Sequence, residues 1–208
     1  MRTINKGSEP PSLTRWKRAN PKKYYCDVER EIRQDIRDYA LKEQFYICAY
    51  CCQQIGDIDD CHNEHVEAQS VNPKRTLDFT NIVASCNTQN QCGHAHKSQF
   101  LPLTPLMAEC ETEIRFMISG RVEELSARAT TTIKVLNLGD NNKKLIEKRK
   151  QLSNVLLWTN GIDLDDDDDL LEMLINDLLQ PQQGSMMEPF TPVVINILRS
   201  WLSQTKKI

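Results

Sequence analysis

A glutamate–histidine pair, Glu64-His65, is followed by Asn81 and then by His94 and His96, and the set is bracketed by two cysteine pairs, Cys48/Cys51 and Cys86/Cys92. These residue types supply a general base, ligands for a catalytic ion and thiolates for a structural ion within about fifty residues, which is what metal-assisted hydrolysis of a phosphodiester requires. His65 is the natural base, because a neutral imidazole near pH 7 takes a proton from water at little cost. Glu64, next to it on an extended strand, points to the opposite face and reads as a metal or supporting ligand. His94 and His96 can bring imidazole to Mg²⁺, Mn²⁺ or Zn²⁺, but residues two apart diverge by roughly 200° on a helix of about 3.6 residues per turn. Either one of them is the ligand, with His94 favoured, or both lie in a turn. Asn81 is expected to tie the backbone of the loop between two strands through its amide, and so to fix the imidazole of His65. His62 is either a ligand, a substrate contact or a structural neighbour of Cys61.

The elements that must position these groups follow from the apolar pattern. Cys61 to His96 reads as strand, loop, strand, helix: Glu64 to Val66 on the first strand, a polar loop over Val71 to Phe79, a second strand over Ile82 to Ser85, and a helix from Gly93. Such a ββα unit is too small to bury a core alone and needs a metal knuckle and flanking helices. Val28, Ile32, Ile36 and Tyr39 recur at helical spacing and predict a helix over Asp27 to Gln44, followed by a short strand over Phe45 to Tyr50. Pro10, Pro11 and Pro21 predict an extended arm over residues 1–26. Beyond Leu101, a hairpin over Ile114 to Leu125 competes with a helix over Leu106 to Met117. Helices are expected over Glu124 to Leu136, Asn142 to Trp158, Leu170 to Leu179 and Pro192 to Leu202, the third preceded by the acidic run Asp163 to Asp169 and followed by a break over Pro181 to Gly184. The expected organisation is the arm (1–26), the nuclease core with its preceding helix (27–105), and a helical region (106–208) for core packing or partner docking. The fold class is α+β, mainly helical.

Composition narrows the function classes. The 208 residues carry a net charge of −3, and hydrophobic content of 39% offers no stretch long enough to span a membrane. The basic, polar N-terminus does not resemble a secretory signal, so a cytoplasmic location is expected. There, eight cysteines read as free thiols or metal ligands rather than disulfides. The two-residue gap of Cys48 and Cys51 lets two thiolates turn onto one tetrahedral zinc, closed by Cys86 and Cys92 across a wider gap. Charge is uneven: seven cations against Glu9 alone up to Lys23, but six aspartates between Asp163 and Asp169. Arg15, Lys17, Arg18, Lys22, Lys23 and Lys97 are candidate contacts to a phosphate backbone, with Trp16, Tyr24 and Tyr25 as stacking surfaces; a solvated basic tail is the alternative.

The segments Cys48-Ala49-Tyr50-Cys51, Cys61-His62-Asn63-Glu64-His65, Asn81 to Cys86 and Cys92-Gly93-His94 resemble HNH endonucleases. With Met1 to Gly7, Glu9-Pro10, Thr132-Ile133 and Leu136-Asn137-Leu138, they are similar to the PtuB family of Septu and retron-linked anti-phage systems, over roughly residues 1–160. The resemblance implies a ββα-metal nuclease acting beside an SMC-like ATPase of PtuA type, in some systems with a reverse transcriptase and its DNA. It implies His65 as base, Asn81 as the middle asparagine, His94 as the late metal ligand, and the cysteine pairs as a structural zinc site. Ala95-His96 stands where a lysine-bearing helix start is usual, so the late ligand stays open between His94 and His96. DNA is favoured as substrate over RNA such as tRNA. The alternative is a zinc-clamped nucleic-acid-binding or interaction subunit without catalysis, which needs the cysteines but not the Glu64-His65 pair.

Overall fold

The structure, a computed structural model, describes residues 1–159, 161, 168–180 and 186–205. It is a mixed α+β fold, about half helical, with two small antiparallel sheets. Strands β1 (Cys61–His65) and β2 (Ile82–Cys86) pair with Glu64 opposite Val83 and His65 opposite Ile82, and α3 (Gly93–His96), a single turn, follows. All five residues of β2 are buried, so its backbone groups need partners on both edges. β1 covers one edge. On the other, the Gln44 side chain donates to the Ala84 carbonyl (2.9 Å) and accepts from the Ala84 N–H (2.7 Å). The Ala49 N–H donates to the same carbonyl at 3.1 Å.

Two N-terminal expectations are corrected. Residues 1–26 are not an extended arm: α1 spans Pro11–Ala19 and buries Leu13 and Trp16. Pro11 falls at the first helical position, where the missing N–H has no intrahelical partner and the fixed φ suits the helix, so prolines that suggested a break instead start one. Met1 and Ile4 are also buried, and the Ile4 N–H donates to the Pro105 carbonyl. Nor is Phe45 to Tyr50 a strand. After α2 (Arg30–Glu43), Phe45 and Tyr46 take positive φ and turn the chain sharply, leaving one bridge between Ile47 and Gln54. The loop between β1 and β2 contains two single 3₁₀ turns, Pro73–Arg75 and Phe79–Asn81.

In the second half the hairpin prevails over the competing helix. β3 (Ile114–Phe116) pairs with β4 (Val122–Glu124), preceded by a 3₁₀ turn over Ala108–Glu111. Gly120 turns the hairpin with φ +81°, and any side chain there would strike the Ile146 carbonyl at 2.2 Å. Helices α4 (Ala127–Val135) and α5 (Lys143–Thr159) follow; Ser126 caps the first through the Ala129 N–H, and Asn142 accepts from the Leu145 N–H at the start of the second. α6 (Asp168–Leu179) and α7 (Thr191–Thr205) complete the described elements. One core runs from Met1, Leu13 and Ile36 through β2 to Ile133, Phe190 and Ile197, joining what sequence divided into three regions. A second joins Leu157, Leu171, Leu174, Val194 and Leu198. Most apolar residues of α6 and α7 are thus spent on the chain's own packing. Asp163, Asp165 to Asp167 and the break at Pro181 to Gly184 lie outside the described residues; Asp168 and Asp169 stand in the first turn of α6, where the helix dipole favours them.

Candidate active site and metal centre

The four cysteines expected to hold zinc come together. Cys48 and Cys51 sit in the turn after α2, Cys86 ends β2 and Cys92 precedes α3 with φ +53°. All four are buried, and their sulfurs lie within 4.8 Å of one another. Tetrahedral Zn–S bonds of about 2.3 Å place sulfurs at separations compatible with this cluster, so the quartet fits a structural zinc ion. The Cys86 N–H contacts the Cys48 sulfur at 3.4 Å, and the Gln91 side-chain amide contacts the Cys86 sulfur at 3.9 Å; these are the donors that thiolate ligands favour. Cys52, Cys61 and Cys110 are buried elsewhere, and Cys26 is exposed.

Alternation along β1 sorts the candidate catalytic residues onto two faces. His62 and Glu64 face α3. The Glu64 carboxylate receives His96 Nδ1 at Oε1 (2.5 Å) and His62 Nε2 at Oε2 (3.3 Å). The outer nitrogen of each ring is tied to a carbonyl oxygen: His96 Nε2 to Gln99 O at 2.7 Å, and His62 Nδ1 to Asn87 Oδ1 at 3.0 Å. Those oxygens only accept, so the outer nitrogens carry hydrogen, and both inner nitrogens face one carboxylate, as N–H donors to it when the rings are protonated. Two imidazoles and a carboxylate are ligand types that a divalent ion accepts, but among the described residues the group whose donor atoms all lie close enough to hold one ion is the cysteine quartet. Burial opposes charge on both groups. Even so, Glu64 and Asn87 hold the His62 pKa above the ordinary histidine value, and the two histidines hold Glu64 below the ordinary carboxylate value.

Gly93 is the roof of this cluster. A Cβ there would lie 2.4 Å from His62 Nε2 and 2.7 Å from Glu64 Oε2. The Gly93 N–H is held by Ser85 Oγ at 3.0 Å. Because α3 is one turn, His94 and His96 part company as their spacing requires: His96 is fully buried against Glu64, whereas His94 is half-buried with its ring 4.9 Å edge-on from His62.

His65 faces the other way. Its Nε2 donates to the Thr76 carbonyl at 2.9 Å, its ring stands edge-on to Tyr25 at 4.8 Å, and Nδ1 is left with the lone pair. Burial lowers its pKa below the ordinary histidine value, against the opposing pull of Thr76 and Glu64. Asn63, on the same face, donates to Tyr25 Oη (2.8 Å) and the Arg33 carbonyl (2.7 Å), so α2 and Tyr25 set this side of the strand. Asn81 is buried, and its amide brackets Glu67: Oδ1 accepts from the Glu67 N–H (2.8 Å) while Nδ2 donates to the Glu67 carbonyl (2.9 Å). The loop that carries Thr76, and with it His65, is therefore pinned at its start by Asn81.

The basic candidates distribute unevenly. Arg15, Arg18, Lys22, Lys23 and Lys97 are exposed, whereas Lys17 is paired with Glu9. Of the proposed stacking residues, Trp16 faces the core and Tyr25 packs on His65, leaving Tyr24 at the surface. His62, open in sequence between ligand, substrate contact and structural neighbour, meets Glu64, and Tyr25 packs on His65 rather than at the surface; the carbonyls of Thr76 and Gln99 have no sign in the sequence. The i, i+2 spacing of His62 and Glu64 on a strand was the one readable sign among them. Tyr50, inside the cysteine knuckle, is completely buried with an unpartnered hydroxyl, and burial followed by the Glu64 charge pushes its pKa well up.

No family model matches the chain, and no curated protein matches it. No helix among the described residues is long and apolar enough to cross a membrane.

Proposed function

We propose that this chain is a metal-dependent endonuclease of the HNH type, hydrolysing phosphodiester bonds in nucleic acid, with DNA favoured over RNA. The observation that carries this reading is the convergence of the His62 and His96 ring nitrogens on Glu64 beneath α3, beside His65, whose Nε2 is fixed to Thr76. Glu64 and His96, joined by His62 or His94, would hold a divalent ion, Mg²⁺ or Mn²⁺ at the catalytic position. When bound, such an ion polarises phosphoryl oxygens and stabilises the departing oxygen. His65 takes the proton from the attacking water at Nδ1. Asn81 acts at one remove, holding the loop whose Thr76 carbonyl fixes that ring. The cysteine quartet, with zinc, locks the knuckle to β2 and the start of α3.

The resemblance in sequence supports a setting in anti-phage defence, with an SMC-like ATPase as the partner and, in retron-linked systems, a reverse transcriptase and its DNA. The surface left for such a partner includes Val155, Trp158, Leu170 and Met173, exposed on α5 and α6. The test is calorimetric titration of Mn²⁺ into zinc-loaded protein, paired with cleavage of plasmid DNA and of RNA, with and without the ATPase. One additional ion bound by the parent and lost in Glu64→Ala and His96→Ala, together with metal-dependent cutting, is the expected result. Zinc binding with no second ion and no cutting would favour a zinc-clamped interaction module instead.

A further inference from the structure

A cavity of about 420 Å³ opens beside the proposed centre, between the loop leaving β1 and the segment leaving α3. Both walls belong to residues that already hold the site. On one side are Glu67 and Arg75, whose backbone carbonyls Asn81 Nδ2 contacts at 2.9 and 3.5 Å. On the other is Gln99, whose carbonyl fixes His96. The lining is mainly apolar, and its rim displays Phe100 at 79% exposure, Val71 at 62% and Met107 at 36%. A phenylalanine this exposed leaves most of its apolar surface in water, and an aromatic ring in that condition is a platform for stacking. The polar groups are few. Arg75 is held by Asp78 and Glu67 at 2.9 and 3.1 Å, which fixes its guanidinium at the cavity rather than leaving it free to sweep the surface. Outside the cavity, Lys74 on the loop side and Lys97 on the helix side are both exposed.

We infer that this cavity receives an unpaired nucleobase next to the scissile phosphate, stacked on Phe100, so that single-stranded or unstacked nucleic acid is cut in preference to continuous duplex. This deepens the nuclease reading and rests on it. An apolar, partly polar slot of this size accommodates a small planar molecule, and the exposed Lys74 and Lys97, adjacent in sequence to the lining residues Arg75 and Ser98, suit the phosphates that flank that base. A base in a duplex is stacked on its neighbours and must be unpaired and extruded to enter, which costs free energy. In a single strand it enters without that cost. Stacking on an aromatic ring engages the face common to every base, so the same chemistry serves DNA and RNA strands, and the experiment separates them.

The test measures binding first and cleavage second. Fluorescence anisotropy with a twelve-nucleotide single strand of DNA, its RNA counterpart and the matched DNA duplex is compared for His65→Ala and for His65→Ala with Phe100→Ala; cleavage is compared for the parent and Phe100→Ala. Phe100 is exposed, so its removal leaves the core untouched, and circular dichroism with zinc content confirms this. The expected result is that Phe100→Ala weakens single-strand binding about tenfold to a hundredfold and leaves duplex binding within about twofold. An abasic site walked along the strand should reproduce the loss at one position, and Phe100→Ala should abolish the sensitivity to that position. Preference for the DNA or RNA strand identifies which polymer supplies the base. Equal binding of single strand and duplex, or a single-strand affinity indifferent to Phe100 and to abasic sites, would overturn the inference; continued His65-dependent cutting would then leave the nuclease reading intact. Absence of cutting with Phe100-dependent strand binding would instead overturn the nuclease reading and leave the base pocket standing.

Discussion

Replacing Gly93 with alanine puts the geometry of the candidate centre to a test whose sign is informative. The position is helical, and an unhindered Gly→Ala change in a helix stabilises by about 0.4–1 kcal/mol. Here the added methyl would sit 2.4 Å from His62 Nε2, 2.7 Å from Glu64 Oε2 and 2.9 Å from Glu64 Cδ. Restoring ordinary contact requires a shift of about 1 Å in groups that are bonded to Asn87 and His96. Overpacking of this kind costs typically 1–3 kcal/mol, and for a chain of this length each kcal/mol lowers Tm by about 2–4 °C. A displacement near 1 Å in a catalytic constellation costs on the order of a hundredfold in rate. Differential scanning calorimetry and single-turnover cleavage should therefore show a lower Tm and a roughly hundredfold slower reaction, with zinc content unchanged. Adding His62→Ala should recover only part of the Tm, since the Glu64 contacts remain. An unchanged or raised Tm in Gly93→Ala alone would refute the close approach of α3 to the cluster.

Other perturbations report on the surrounding structure. Structural zinc contributes about 10–16 kcal/mol of binding free energy in small sites, comparable to a whole domain's stability of 5–15 kcal/mol; chelation should therefore unfold the knuckle and β2. Counted with a thiol reagent, zinc-loaded protein should expose Cys26 quickly and, on chelation, Cys48, Cys51, Cys86 and Cys92 together with Cys52 in the same knuckle, with Cys110 slow because burial raises it to about 11. Asn81→Asp keeps an acceptor for the Glu67 N–H but sets a carboxylate against two carbonyls; a loss of roughly 1–3 kcal/mol in Tm-derived stability is expected, with activity falling alongside. Burial opposes ionisation of Glu111, yet the Thr3 N–H and Arg199 hold its pKa below the ordinary value. Its contribution is thus fully present above the unfolded-state pKa near 4.3 and is lost as pH falls through the depressed folded value. Hydrogen exchange of residues 1–6 should accelerate in that acid range, and Glu111→Gln should remove the pH dependence.

The residues with directional chemistry were the legible ones. Alternation and apolar runs placed Glu64 and His65 on a strand, Ile82 to Ser85 on its partner and Gly93 at a helix start, and the structure has that strand–strand–helix order. The cysteine spacing gave the buried quartet. What escaped was carried by backbone: the Thr76 and Gln99 carbonyls that orient His65 and His96 leave no trace in side-chain type. The single-turn length of α3 decided how two histidines spaced i, i+2 divide, with His96 rather than His94 on Glu64. Pro11 is ambiguous in sequence because proline both ends helices and starts them, and the burial of Leu13 and Trp16 distinguishes the cases. The turn at Phe45 and Tyr46 replaces the strand that the aromatic residues suggest, and both side chains still pack, partly buried, against the core from left-handed backbone.

The central claim is that His65 is the base of a hydrolytic centre built around Glu64. Its most direct measurement is single-turnover cleavage in Mn²⁺ by purified, zinc-loaded protein, alone and with the ATPase, comparing the parent with His65→Ala under conditions where both bind the same strand. A parent that cuts and a His65→Ala variant slower by about 10²–10⁴-fold, with unchanged zinc content and Tm, is the predicted result. Equal rates in the two proteins would contradict it.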